Sequence, residues 1–273
     1  MCRHLAYLGP PATLRALLTD PPHGLSTQAW APRRQRHGTM NVDGFGVGWY
    51  ADGDPAPARY RRAGPIWADA SFADLARVTR TRALLAAVRS ATEGTEAGAA
   101  AAAPYTAGPW LFSHNGRLNG WPVATGSLAA TLAATDLLAL EARCDSALAW
   151  ALVSARLRAG RGPADALADV IAALAEHQVS GRFNFLLSNG EVIAATAAGD
   201  TLCYRLSAGA VLVASEPGDD EPGWTQVSDH SVLTATPGGV DVRALPVPAP
   251  PACPHDHTQP VTALSAEERT IPR

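Results

Sequence analysis

The sequence predicts an α+β fold with layered sheets, because its segments run strand-like, then helical, then strand-like again. Three observations carry this. The first 120 residues alternate short apolar runs with long Gly- and Pro-rich stretches. Ser127 to His177 is dense in Ala and Leu at helical spacing. From Phe183 onward short apolar runs return, the first two joined by Asn189-Gly190, a strong hairpin signal.

Taken in order, Arg3 to Leu8 is a short apolar segment that begins directly after Cys2. Phe45 to Tyr50 alternates small and aromatic residues, which suits a strand packed closely on its neighbours. Ala83 to Val88 is a nearly continuous apolar run, as in a buried strand, and Trp110 to Ser113 is another, ending at His114-Asn115-Gly116. Between them, Pro55 to Pro65 and Ala97 to Pro104 read as loops. In the middle, one helical run covers Ser127 to Leu157 and a second Ala164 to His177, separated by a stop-and-start signal at Gly160 to Pro163. Asp165 and Asp169 near the start of the second suit its dipole. The later strands are Phe183 to Leu187, Val192 to Thr196, Leu202 to Leu206 and Val211 to Ala214. Beyond Leu245 the chain turns Pro-rich and poor in large apolar residues, which predicts a catalytic domain over 2–245 and a disordered tail over 246–273.

The 273 residues carry a net charge of -3 with both signs interspersed, which argues against a nucleic-acid binder. No apolar run is long enough for a transmembrane helix, and Met1-Cys2-Arg3-His4-Leu5 lacks a secretory pattern, so a cytoplasmic protein is expected. The cysteines, Cys2, Cys144, Cys203 and Cys253, form no C-x-x-C pair, and a reducing cytosol disfavours a disulfide. Cys144 and Cys203 read as buried small apolar residues. In the tail, Cys253-Pro254-His255-Asp256-His257 has metal-ligand types, but the segment is short and Pro-flanked, and no metal or cofactor is expected.

Cys2 is the strongest chemical candidate. Removal of Met1 leaves it with a free α-amino group whose reference pKa, about 7.7–8.0, provides neutral base near pH 7. Nucleophile and general base then belong to one residue. Three further segments add to it. In Arg89-Ser90-Ala91-Thr92-Glu93-Gly94, an Arg fork and a Thr at a strand end suit a carboxylate, although alone they also read as a surface Arg and a turn Thr. In Ser113-His114-Asn115-Gly116-Arg117, the Asn115 amide and the Gly116 N–H suit an oxyanion, although Asn-Gly is also a common tight turn. His114 reads as an orienting histidine. Around Asn41-Val42-Asp43-Gly44-Phe45-Gly46, the glycines allow close backbone approach, but no P-loop pattern follows.

Together, Met-Cys-Arg, N-x-D-G-F-G, R-S-A-T-E-G and H-N-G, in this order, resemble the class II glutamine amidotransferase family of N-terminal-nucleophile amidohydrolases. The resemblance covers roughly residues 2–245. It implies a four-layer α-β-β-α sandwich with Cys2 as nucleophile, its α-amino group as base, and Asn115 with the Gly116 N–H as oxyanion hole. It further implies that Arg89 grips the glutamyl α-carboxylate with Thr92 nearby. An Asp of a D-[ST] motif holds the α-ammonium; Asp145-Ser146 is the better match and Asp136 the competing one. Ala147 stands where synthases of the family often carry Glu.

The expected partner is a small-molecule γ-glutamyl substrate, with no nucleic acid and no membrane; the sequence leaves the oligomeric state open. No synthase-like segment follows the domain. The closer similarity, in Pro21 to Leu25, Ala31 to Gln35, Ser215-Glu216-Pro217 and Pro222-Gly223-Trp224, is to the ergothioneine-pathway hydrolases, which release glutamate from γ-glutamyl-hercynylcysteine S-oxide. Glutathione-degrading relatives, a stand-alone glutaminase subunit and a non-catalytic subunit stay open as alternatives. For a trimethylammonium group, Trp30, Trp49, Trp67 and Trp224 are the aromatic candidates. The Arg33-Arg34-Gln35-Arg36 cluster reads as a solvated or substrate-edge patch.

Overall fold

Strand β1 (Cys2–Thr13) sends successive side chains into two different cores, and the rest of the fold is built on that alternation. The structure, a computed structural model, describes residues 2–246. After β1 come α1 (Leu14–Leu18), α2 (Leu25–Gln28), β2 (Gly44–Trp49), β3 (Ala58–Arg62), α3 (Ala70–Val78) and β4 (Arg80–Arg89). Next are β5 (Tyr105–Ala107), β6 (Trp110–Leu118), α4 (Gly126–Ala129), α5 (Ala134–Leu138), α6 (Asp145–Arg158) and α7 (Pro163–Glu176). The remaining strands are β7 (Gly181–Ser188), β8 (Ile193–Ala197), β9 (Cys203–Ser207), β10 (Ala210–Ala214), β11 (Trp224–Gln226), β12 (Ser231–Thr236) and β13 (Gly239–Ala244).

These form a seven-stranded sheet in the order β11-β9-β10-β1-β4-β2-β3 and a six-stranded sheet in the order β13-β12-β8-β7-β6-β5. On β1, Leu5 and Tyr7 pack outward with Leu14, Leu18, Phe45 and Phe72 under the first helices. Ala6 and Leu8 point inward and meet Leu111, Leu186 and Leu233 of the second sheet. On that sheet's far side, Phe112, Phe185 and Leu187 pack against Leu148, Leu152, Leu167 and Val170 of α6 and α7. The layers are therefore α, β, β, α, as expected. The two sheets close tightly where β2 has glycine: a Cβ on Gly46 would collide with the Ala103 carbonyl.

Several elements differ from expectation. The helical run from Ser127 to Leu157 is broken into α4, α5 and α6. Between the last two, Glu141 is drawn into ion pairs with Arg59 (3.0 Å) and Arg61 (2.7 Å) of β3, which overrides local helix propensity. That strand lies inside the expected Pro55 to Pro65 loop; its charged sequence Ala58-Arg59-Tyr60-Arg61-Arg62 has no apolar alternation to reveal it. The first third also contains helices α1 to α3, two of them side-chain capped: Thr13 Oγ1 accepts from Ala16 N (3.1 Å) and Asp69 Oδ1 from Phe72 N (3.0 Å). Finally, Asn115 and Gly116 lie inside β6, paired with Asn184 and Phe183, and not at its end or in a turn. Among the described residues no helix is long and apolar enough to cross a membrane. The 247–273 segment, including Cys253, His255 and His257, lies outside the described residues.

Candidate active site

Cys2 opens the central strand and is paired in register with Arg89 of β4, so the two residues arrive side by side at one end of the first sheet. The Cys2 side chain is half-buried, and its Sγ lies 4.0 Å from the Ser90 carbonyl. Across the gap between the sheets, the Cys2 backbone nitrogen donates to Asn115 Oδ1 at 3.2 Å. The other end of that amide, Nδ2, donates to Ser215 Oγ at 3.3 Å. Ser215 is itself locked to β1: its Oγ accepts from His4 N (3.0 Å) and its N donates to the His4 carbonyl (3.0 Å). The Asn115 carboxamide is thus held at both ends, and its nitrogen keeps a second hydrogen to donate.

Gly116 needs to be glycine, since a Cβ there would strike the Arg182 carbonyl and come within 2.6 Å of His114 Nε2. His114 points to the opposite face of β6 from Asn115. Its Nε2 lies 2.9 Å from the Arg182 carbonyl and so carries the proton, leaving Nδ1 to accept from Ser146 Oγ at 3.1 Å. Burial lowers the pKa of His114 and keeps this tautomer neutral. His4, enclosed between the sheets with Nδ1 3.2 Å from Ser113 Oγ, is lowered to about 3, by burial first and then by Arg3 and His114. Neither imidazole is placed or tuned to serve as a base at neutral pH.

Cys2, Arg89, Thr92, Gly116, Asp145 and Ser146 line one narrow cleft. Arg89 is 7% exposed. Its Nη2 donates to Thr95 Oγ1 (3.0 Å) and to the Glu96 carbonyl (3.0 Å), while Nη1 is buried with no partner. Asp145, the first residue of α6, accepts from Leu118 N (3.0 Å), Thr92 Oγ1 (3.4 Å) and Ser146 N (2.8 Å). Asp136, the competing aspartate, lies on α5 in an ion pair with Arg158 at 2.6 Å, outside this cleft. A guanidinium and a carboxylate facing one small space next to a thiol fit a zwitterionic head group attached to an electrophilic carbon.

The remaining described cysteines are unsuited to nucleophilic work. Cys144 is buried under the Tyr105 hydroxyl (3.1 Å) and pushed up by burial, and Cys203 is pushed up to about 12 by burial. No group of three or more His, Cys, Asp or Glu suited to a metal occurs among the described residues. The tryptophans are absent from the cleft walls; Trp224, for one, is covered by the Arg205 guanidinium at 4.8 Å. The Arg33 to Arg36 cluster is largely solvated, with its backbone pinned by Glu216, which accepts from Arg33 N (3.0 Å) and Arg34 N (2.6 Å). In the sequence Ser215 stands out only as part of Ser215-Glu216-Pro217. Its role as the brace of Asn115 depends on a contact 100 residues away in the chain, for which no local signal exists.

The family model for class II glutamine amidotransferases matches residues 14–209. Over 245 residues the chain is 43% identical to the gamma-glutamyl-hercynylcysteine sulfoxide hydrolase of Mycolicibacterium smegmatis, covering 90% of this chain and 100% of that one. Among solved structures, it is similar to a class II glutamine aminotransferase domain protein from Silicibacter pomeroyi (TM-score 0.66, 24% identity, 90% and 100% of the two chains). It is also similar in fold to glutamine phosphoribosylpyrophosphate amidotransferase from B. subtilis (TM-score 0.63, 17% identity), covering 90% of this chain and 49% of that one.

Proposed function

The chain belongs to the class II glutamine amidotransferases, and we propose that within this family it is the hydrolase that releases glutamate from γ-glutamyl-hercynylcysteine S-oxide, a step of ergothioneine biosynthesis. The observation that carries this reading is the cleft. Arg89, whose Nη1 is unpartnered, and Asp145 line it together with Cys2, which supports the reading, and the similarity to hydrolases of that substrate directs the choice of leaving group.

In the proposed mechanism Arg89 takes the glutamyl α-carboxylate, and Asp145 with Thr92 the α-ammonium. With Met1 removed, the neutral α-amino group of Cys2 accepts the thiol proton as Sγ attacks the γ-carbonyl carbon. The negative oxygen that forms is received by Asn115 Nδ2 and the Gly116 N–H. Asn115 Oδ1, 3.2 Å from the Cys2 nitrogen, orients the amine by taking one of its hydrogens. The same amine returns the proton to the leaving nitrogen, the C–N bond breaks, and a glutamyl thioester is left on Sγ. Water then gives a proton to the amine and attacks the thioester; the C–S bond breaks, glutamate departs, and the thiolate is reprotonated. Such a thiol has to stay reduced, which fits a cytoplasmic location.

Glutamate release tests this with γ-glutamyl-hercynylcysteine S-oxide, glutathione and glutamine as substrates, each against wild type and Cys2→Ala. The expected result is release from the sulfoxide that is lost in Cys2→Ala, by a protein whose intact mass lacks Met1. Preference for glutathione would discard the substrate, and full activity in protein that retains Met1 would discard the amine as base.

A further inference from the structure

Every second residue of β6 faces the nucleophile's sheet. Ser113 meets His4 at 3.2 Å and Asn115 meets the Cys2 nitrogen at 3.2 Å. The next residue on that face is Arg117, and its partner in register on β7 is Arg182. Because the β6 residues advance as the β1 residues step back from His4 to Cys2, this pair stands opposite the point where β1 begins. It lies about 7 Å along the strand from Asn115.

Two guanidinium groups directly across a sheet repel each other, and the protein supplies them with little relief. Neither makes an ion pair among the described residues. Arg117 Nε donates to the neutral Asn119 Oδ1 at 2.8 Å, and Arg182 Nε is buried with no hydrogen-bond partner. The acid that Arg182 feels most strongly, Asp200, already faces the fully buried Arg3 at 3.7 Å.

Neither arginine lines the cleft that holds Arg89, Thr92 and Asp145. That cleft is walled by Cys2, the end of β4 and the segment after it, the 101–105 stretch, the start of α6 and β6 as far as Gly116, whereas the arginines stand one step further along β6 and β7, on the face that carries Asn115. A substrate with its glutamyl head among Arg89, Thr92 and Asp145 and its γ-carbonyl between Cys2 and Asn115 can extend its leaving nitrogen along the Asn115 face of β6 towards them. We propose that Arg117 and Arg182 form a carboxylate subsite for the leaving group, so that the enzyme favours γ-glutamyl amides of α-amino acids over those of ammonia or simple amines. This rests on the hydrolase reading above and extends it to the other side of the scissile bond. In the sulfoxide substrate the group concerned is the cysteinyl carboxylate, carried on the carbon next to the leaving nitrogen and suited to a guanidinium fork.

The test compares γ-glutamyl-hercynylcysteine S-oxide with an analogue in which only the cysteinyl carboxylate is a primary amide, by the kcat/KM of glutamate release. Wild type is expected to prefer the carboxylate by about ten- to a hundredfold, the size of a lost charge-assisted contact. In Arg182→Gln and in Arg117→Gln/Arg182→Gln the two substrates should converge to within about threefold, with Arg182→Lys between. Equal rates on both substrates in wild type, or a preference that survives in folded variants, would overturn the subsite while leaving the hydrolase intact. The wild-type comparison decides even where a variant fails to fold. Absence of Cys2-dependent release from either compound would overturn the hydrolase reading and the subsite with it.

Discussion

Arg89 uses one guanidinium nitrogen for the protein and leaves the other without a partner. Nη2 is fixed by Thr95 and the Glu96 carbonyl, and Nη1 is buried without a partner on a side chain that lines the cleft. A buried donor of this kind is unfavourable in the empty site and gains most when a carboxylate arrives. That contact is made equally in the bound substrate and in the transition state, so its removal belongs in KM more than in kcat. Arg89→Lys keeps the charge but cannot satisfy both the anchor and the ligand. Its KM for the γ-glutamyl substrate is expected to rise by about ten- to a hundredfold, with kcat changed far less. Steady-state kinetics with glutamate release as readout decides this, and a fall confined to kcat would place Arg89 elsewhere in the mechanism.

At the scale of the elements, β2 shows how a strand is shaped by what lies across from it. Phe45 and Val47 fill the outer core, while Gly44, Gly46 and Gly48 turn towards the second sheet, where the Ala103 carbonyl and Leu111 approach too closely for a side chain. Gly46→Ala should push β2 away from the 101–104 segment, whose Ala101 and Ala103 line the cleft. A stability loss of about 1–3 kcal/mol is expected, measured by chemical denaturation; an unchanged midpoint would mean the sheets yield at this point. The glycine alternation was legible in the sequence, as were the Asn189-Gly190 hairpin and the apolar runs of β1, β4 and β7, because each carries its own local pattern. Strand β3 was not, because charged side chains on an edge strand have no apolar period. Nor was the break before α6, because Glu141 is held by arginines some 80 residues away. At the candidate site, Cys2, Arg89, Thr92, Gly116 and Asp145, singled out by short motifs, come together around one cleft, and Asn115 is tied to the Cys2 nitrogen, whereas Ser215 just past β10 and Arg182 on β7 owe their places to long-range hydrogen bonds and strand pairing.

Across the whole molecule, the layered construction encloses two imidazoles on either side of β6, and this makes stability depend on pH. His4 sits between the sheets and His114 between the second sheet and the start of α6; both are held neutral, His4 with its pKa lowered to about 3. In the unfolded chain both return to about 6.5. Since the folded values lie below the unfolded ones, the unfolded state binds more protons as pH falls. The contribution to stability is complete above about pH 6.5 and is lost progressively as pH drops below it. Each histidine that stays neutral adds a slope of about 1.4 kcal/mol per pH unit. Carboxyls of the unfolded chain reach their midpoints near pH 4.3 and below and are almost fully ionised above about pH 5.5, so the range from about pH 6.5 to 5.5 isolates the histidines. Denaturant midpoints measured across that range should decline for wild type and less steeply for His4→Gln. The comparison of slopes holds whatever the absolute stability of the variant. Equal slopes in the two proteins would mean that His4 gains a proton without unfolding, and that the space around its unpartnered Nε2 admits water.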